Sequence, residues 1–332
     1  MRVFARRMFP ELLLLIALTC FPLVTQQTYM LHVVVMIFLF AVMGIAWNFI
    51  GGYAAQLSLG HAAFVAIGAY TTTILMKSYN VTPMVGAAAG TVLAGAAAVL
   101  IGYPCFRLRG PYFALSTIAF AEILRILLLH FAGCTGGAEG IPIPFKGQDV
   151  WMLQFYSKVP YYYICLAFVV IVFLIARRVE GSKLGYYLSA IREDQDAAES
   201  IGIRSYRVKL KALLISAAIT AVAGSLYAVI IGYIDPYSVA GTTMSNEIAL
   251  IAIVGGIGTL WGPVMGATAV IFLTEVTNAL LGSTRGGASM AIYGLLLIVI
   301  VLARPGGLIS LFSASWPFSR RMDSPKGVAA AQ

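Results

Sequence analysis

Apolar residues run in long unbroken blocks along this chain, separated by short polar stretches and with little alternation between neighbours. Blocks approaching twenty apolar residues are long enough to cross roughly 30 Å of hydrocarbon. The pattern predicts ten membrane segments, at about 10–25, 30–50, 60–77, 84–103, 112–132, 160–177, 209–232, 247–258, 264–282 and 289–303. The eighth is too short to cross as an ordinary helix and reads as a half-helix or tilted segment broken at its glycines. A barrel is excluded, because its strands would alternate apolar and polar at every second residue. The opening stretch, MRVFARRMFPELLLLIALTCFPL, has the basic start and short apolar run of a signal peptide. No small-residue cleavage pattern follows and the next block is again apolar, so it reads as an uncleaved first helix.

Two polar stretches interrupt the blocks. Residues 133–159, rich in Gly and Pro, suit a surface loop or short lid that meets an external partner; residues 178–208 are strongly charged. The tail 313–332, rich in Ser, Pro and Ala, reads as disordered.

Composition sharpens the class. The 332 residues are 60% hydrophobic and only 11% charged, where a soluble domain has about 25% charged residues. No core of this length hides so much apolar surface, so the expected fold is all-α, a polytopic integral membrane protein whose permease domain spans residues 1–312. The net charge of +9 does not point to nucleic acid, because the basic residues fall between membrane segments. With Arg2, Arg6 and Arg7 in the cytoplasm, alternation places Arg107, Arg109, residues 178–208, Arg304, Arg320, Arg321 and Lys326 there too. Seventeen of the 22 basic residues then lie at the cytoplasmic side. Lys77, Lys146, Lys158 and Arg285 face outward and Arg125 lies within a helix. This is the positive-inside asymmetry, and it predicts both termini in the cytoplasm. Cys20, Cys105, Cys134 and Cys165 show no metal-ligand spacing and read as small packing residues.

Candidate chemistry gathers in four places. From about Leu184 to Ile201 the inner stretch predicts a helix, with Leu188, Ile191 and Ala198 at apolar spacing. Arg192 sits beside an acidic band of Glu193, Asp194, Asp196 and Glu199, and Gly202 follows as a C-cap. Crowded like charges weaken a free helix, so this is either a solvated interfacial helix or a docking helix for a cytoplasmic subunit. In GGYAAQLSLGHAAF, Gly51 and Gly52 break the chain, Gln56 and Ser58 line a protein-facing segment, and a helix restarts near Gly60 and His61. A second cluster, GGIGTLWGP, carries Gly255, Gly256 and Gly258. Irregular backbone at membrane depth is tolerated only beside protein or a water-filled cavity. Such breaks point to a solute path by analogy with secondary transporters; close helix packing without solute contact is the alternative at each residue. His61 itself reads as a structural hydrogen-bonder.

Glu122 and Glu275 fall about ten and eleven residues into their segments, some 15 Å deep at ~1.5 Å per residue, where an ionised group is costly. Arg125 stands one turn from Glu122 and offers a local ion pair. Glu275 has only Asn278 at that spacing and needs a partner on another helix or subunit. Arg107 and Arg109 read as anchors. There is no clustered His/Glu metal pattern, no nucleophile beside a base, and no G-x4-G-K-[ST]; Lys183 follows Gly and Ser without the glycine pattern. A phosphate-cradling loop is therefore missing from the sequence, and neither catalysis nor a bound cofactor is expected.

Several motifs resemble one family. DAAESIG is similar to the coupling-loop pattern of ABC-importer permeases, an acidic residue and two alanines with a glycine further on. QLSLGHAAFVAIGAY, RLRGPYFALSTIAFAEI, TGGAEGI, LSAIREDQDAAESIGI and IVGGIGTLWGP together resemble the larger, M-type permease of branched-chain amino acid ABC importers. They occur in one order from about residue 45 to 305. The resemblance implies a ten-helix permease in a bacterial inner membrane, with the ATPase-contacting loop between helices six and seven. It places Ile191, Arg192, Glu193, Asp194, Asp196, Ala197, Ala198, Glu199 and Gly202 in that loop. It also implies a second homologous permease, two ATP-binding subunits that use ATP and Mg, and an external solute-binding protein. Related permeases carry urea and short amides, and an ion-coupled secondary transporter using Glu122 and Glu275 is the rival from another class.

Overall fold

The computed structural model describes residues 2–281, apart from positions 26, 109 and 146, together with residues 294, 295, 298, 302 and 306–311. Five helices come first: α1 (Arg2–Val24), α2 (Thr28–Gly51), α3 (His61–Tyr79), α4 (Pro83–Cys105) and α5 (Pro111–His130). The Gly- and Pro-rich stretch follows with α6 (Ala132–Thr135), a 3-10 turn at Gly137–Glu139 and β1 (Ile141–Pro142). Next come α7 (Val159–Glu180), α8 (Lys183–Glu193), α9 (Gln195–Ser200), α10 (Ser205–Ile231) and β2 (Tyr233–Ile234). α11 (Pro236–Val239), α12 (Thr242–Gly255), α13 (Gly262–Leu281) and a 3-10 turn at Leu308–Leu311 complete the order. β1 and β2 pair antiparallel, Ile141 opposite Ile234. Proline opens α4, α5 and α11 at the first helical position, where its missing N–H costs nothing.

Among the described residues six spans are long and apolar enough to cross a membrane: α2, α4, α5, α7, α10 and the joined α11–α12 run Pro236–Gly255. The apolar parts of α1 and α13 are shorter, Leu13–Val24 and Gly262–Thr277. α3 falls outside this set, yet it stands at the centre, packed against α10, α4, α5 and α12. α2 is the other central helix, lying against α7, α10, α12 and α13. Glycines bring α3 and α10 to near-contact: a Cβ on Gly68 would collide with the Ala221 backbone, and one on Gly224 with the Val65 backbone. α1 lies outside and is tied to α7, whose Tyr162 and Tyr163 hydroxyls donate to the Leu18 and Thr19 carbonyls at 2.6 and 3.2 Å. Arg177 of α7 also pairs with Glu11 of α1 at 2.8 Å.

Several expectations are corrected. The first helix, Arg2–Val24, extends on the N-terminal side of the apolar segment expected at 10–25, since a helix accommodates arginines well. The eighth segment starts before 247: α11 begins at Pro236, α12 runs Thr242–Gly255, and Gly256 follows at a φ of +132°, which no ordinary helix continues. The single inner helix expected over 184–201 is two. Asp194 leaves the helix at φ −156°, and its Oδ1 accepts from the N–H groups of Asp196 and Ala197 at 2.8 and 3.0 Å, capping α9. Cys105 and Cys165 are buried, but Cys20 and Cys134 are exposed rather than packed inside. The tail 313–332 and most of the segment 289–303 lie outside the described residues.

Candidate functional site

The motifs single out two linked regions, one at the end of the bundle carrying α8 and α9 and one at its centre. At the α8–α9 end, α9 closes with Gly202 at φ +92°. The Gly202 N–H bonds the Glu199 carbonyl at 3.0 Å and the Ile203 N–H that of Ala198 at 3.1 Å, the paired bonds of a left-handed C-terminal cap. Leu188, Ile191 and Ala198 are buried, whereas Glu193, Asp194, Asp196, Ala197 and Glu199 are exposed. The hairpin is fastened to α10 by Lys209, a fully buried lysine whose Nζ donates to Gln195 Oε1 at 2.7 Å.

The two glycine clusters, distant in sequence, meet at the same end. Asn48, buried near the end of α2, accepts the Gly258 N–H on Oδ1 at 2.8 Å and donates from Nδ2 to the Thr259 carbonyl at 2.9 Å. A Cβ on Gly52 would meet that Asn48 side chain and lie 2.7 Å from the Gly258 nitrogen. Arg192 of α8 reaches into this meeting point, its Nη1 3.5 Å from the Gly52 carbonyl oxygen. Tyr53 lies alongside, where burial and then the Glu180 carboxylate hold its phenol above the ordinary tyrosine range. The Trp47 indole N–H donates to the Ser58 carbonyl at 2.6 Å and so folds the 52–60 segment back along α2.

At the centre, His61 begins α3 fully enclosed. Ser216 Oγ donates to the Ala46 carbonyl at 2.6 Å, so it accepts from His61 Nε2–H at 2.8 Å. His61 Nδ1 lies 3.1 Å from Ser58 Oγ, so the ring is held through both nitrogens. The Ala62 N–H, left open by the start of α3, donates to Ser245 Oγ of α12 at 2.9 Å. Thr117 of α5 accepts the Leu59 N–H at 3.1 Å. Ser58 and His61 therefore spend their polar groups inside the chain; Gln56 keeps a buried Oε1 with no partner among the described residues. Gly255 and Gly256 are buried and Gly258 is half-buried.

The membrane carboxylates separate. Glu122 forms its ion pair with Arg125, Nε to Oε2 at 3.0 Å and Nη2 to Oε1 shorter still, with the guanidinium 5.2 Å from the Tyr237 ring centre. Glu275 finds its partner across helices: its Oε2 accepts from the hydroxyl of Tyr29, in the first turn of α2, at 3.0 Å. The partner is thus on another helix, and the carboxylate sits near the end of the bundle where α2 begins. Lys158, at that same end, donates to the Ile230 carbonyl at 3.3 Å, and burial holds its ammonium below the ordinary lysine range. Asn48, Ser216, Lys209 and the third carboxylate in α12, Glu247, were not legible as site residues. Their only sequence signal is a single polar residue inside or at the edge of an apolar block. No three His, Cys, Asp or Glu side chains gather as a metal site among the described residues.

A many-helix bundle with six spans long and apolar enough to cross a membrane among the described residues is the architecture of a multi-pass membrane protein. The profile of the family described as branched-chain amino acid transport system / permease component matches residues 29–301, and the chain belongs to that family. It is similar to the high-affinity branched-chain amino acid transport system permease protein LivM of Escherichia coli K12, with 30% identity over 92% of this chain and 75% of the relative. LivM of Salmonella typhimurium matches at 30% identity over the same shares. The permease protein LivH of Escherichia coli K12 is 25% identical over 81% of this chain and 91% of its own length. No solved structure matches the chain.

Proposed function

We infer that the protein is a membrane subunit of an ATP-driven importer for branched-chain or related neutral amino acids, working by alternating access. The observation that carries this reading is the α8–α9 hairpin. Its apolar residues are sunk into the bundle, its acidic residues stand exposed, and Asp196, Ala197, Ala198 and Gly202 fall on the coupling-loop motif. An exposed acidic surface on a buried foot suits a basic groove on an ATP-binding subunit. In this reading α1, α2, α3, α4, α5, α7, α10, α11–α12 and α13, with the segment 289–303, make ten spans with the hairpin and both termini in the cytoplasm. The chain binds no cofactor; ATP and Mg act on two partner subunits, and an external binding protein delivers the solute.

The solute passes between this chain and a second, homologous permease. Gln56 and the glycine turns at Gly255, Gly256 and Gly258 belong to the moving parts near that path, with Ser58 and His61 as its inner frame. The partly exposed Glu122–Arg125 pair supports a face of α5 turned toward protein or water, since a charged pair facing lipid is costly.

The test reverses charge on the hairpin. Asp196→Lys with Glu199→Lys should reduce co-purification of the ATP-binding subunits at least about tenfold, a loss of ~1.4 kcal/mol of binding, while membrane insertion is kept. Wild-type assembly and transport in that variant would refute the docking role.

A further inference from the structure

Arg192 is exposed on α8 like its acidic neighbours, but its guanidinium reaches back to the bundle. Its Nη1 lies 3.5 Å from the Gly52 carbonyl oxygen, the last carbonyl of the α2 cap. The same atom would stand 2.5 Å from a Cβ placed on Gly258, and that Cβ would also lie 3.4 Å from the Gly52 oxygen. The guanidinium therefore lies between the end of α2 and the α12–α13 turn, and a side chain at 258 would displace it from there. The negative end of the α2 dipole favours a cation there. From the bundle side, Asn48 ties the same two segments together through Gly258 and Thr259.

We propose that Arg192 is a positioning residue that carries movement of the α8–α9 hairpin into the end of α2 and the α12–α13 turn, and not a contact for the ATP-binding subunit. This rests on the reading of the hairpin as the coupling segment. Both segments it touches lead onward into the bundle: residues 52–60 run to Gly60 and His61 at the start of α3, and residues 256–261 run into α13. A shift of α8 reaches the centre by this route independently of the Lys209–Gln195 link to α10.

The experiment uses the complete transporter, with ATP-binding subunits, partner permease and binding protein, in liposomes. Arg192→Ala, Arg192→Lys and Gly258→Ala are compared for subunit composition, ATP hydrolysis and solute moved per ATP. The expected result is intact assembly, hydrolysis within about twofold of wild type, and transport per ATP at least about tenfold lower in Arg192→Ala. A lysine, which keeps the charge, should recover part of the loss. Gly258→Ala should reproduce the loss by displacing an unaltered guanidinium, and adds strain at a φ of +73°. Unchanged transport per ATP in Arg192→Ala and Gly258→Ala overturns the proposal. Loss of the ATP-binding subunits from Arg192→Ala also overturns it, by making Arg192 a docking residue, and leaves the coupling reading standing. Should Arg192→Ala fail to reach the membrane, Arg192→Lys and Gly258→Ala decide by the same ratio.

Discussion

α3 and α5 are nearly equal in length, at 19 and 20 residues, and live in opposite surroundings. Twelve residues of α3 are buried, against four of α5. α3 is the more polar, carrying His61, Tyr70, three threonines and Lys77. α5 shows Leu115, Ile123 and Ile126 to the outside, each more than half exposed. In water the apolar helix would be inside. In a bilayer, lipid satisfies leucine as well as protein does, so apolarity marks the surface and drives no association. What draws a helix to the centre is small residues that admit close contact and polar groups that find partners, and α3 has both.

The largest break in this contrast is steric. Gly68→Leu places a side chain where the Ala221 backbone already stands, within 2.8 Å of its Cα. Backbone cannot give as a flexible side chain does, so the cost should exceed the usual ~1–3 kcal/mol of overpacking. Thermal unfolding of the purified chain in detergent should show a collapse in yield or a large fall in Tm. Ala119→Leu, which adds three carbons instead of four at an exposed position of α5, should stay within about 0.5 kcal/mol of wild type. Equal responses at both sites would erase the distinction between the two helices.

That contrast was only half visible in the sequence. Segment positions were legible because apolar blocks have a length that matches the bilayer; observed helices start or end within a few residues of most of them. The inner boundary failed at Asp194, where an aspartate two residues before Asp196 caps a new helix instead of continuing the old one. Apolarity cannot register that choice. The glycine clusters were legible as breaks, but their meeting through Asn48 and Arg192 was not, because residues 48, 192 and 258 share a contact only after the bundle forms. That Glu275 needs a partner on another helix was legible, but that the partner is Tyr29 was not, for the same reason.

A smaller break removes hydrogen bonds rather than space. His61→Ala leaves the Ser58 and Ser216 hydroxyls enclosed without their shared ring. An unsatisfied buried polar group costs about 1–3 kcal/mol, so a Tm loss well below that of Gly68→Leu is expected. Thr72→Val, which deletes one hydroxyl donated to Ser225 at 2.8 Å, should cost only ~1 kcal/mol. If His61→Ala were silent, the internal pairing of polar groups would not be what holds α3 in place.

The smallest effect on the isolated chain is expected at the Glu122–Arg125 pair of α5, and its smallness is informative. Both side chains remain partly exposed, Arg125 at 20% and Glu122 at 38%, and exposed pairs contribute little where solvent reaches them. Glu122→Gln should therefore leave detergent unfolding of the isolated chain unchanged. Within the membrane the same change strands a guanidinium on a face that lipid cannot solvate. If that face meets the second permease or a watery path, Glu122→Gln should lower recovery of the assembled permease pair. Glu122→Gln with Arg125→Gln, which removes both charges together, should restore it. Recovery that falls equally in the single and the double variant would mean that the ion pair itself is the contact, and that the face reads a specific partner rather than merely avoiding an unpaired charge.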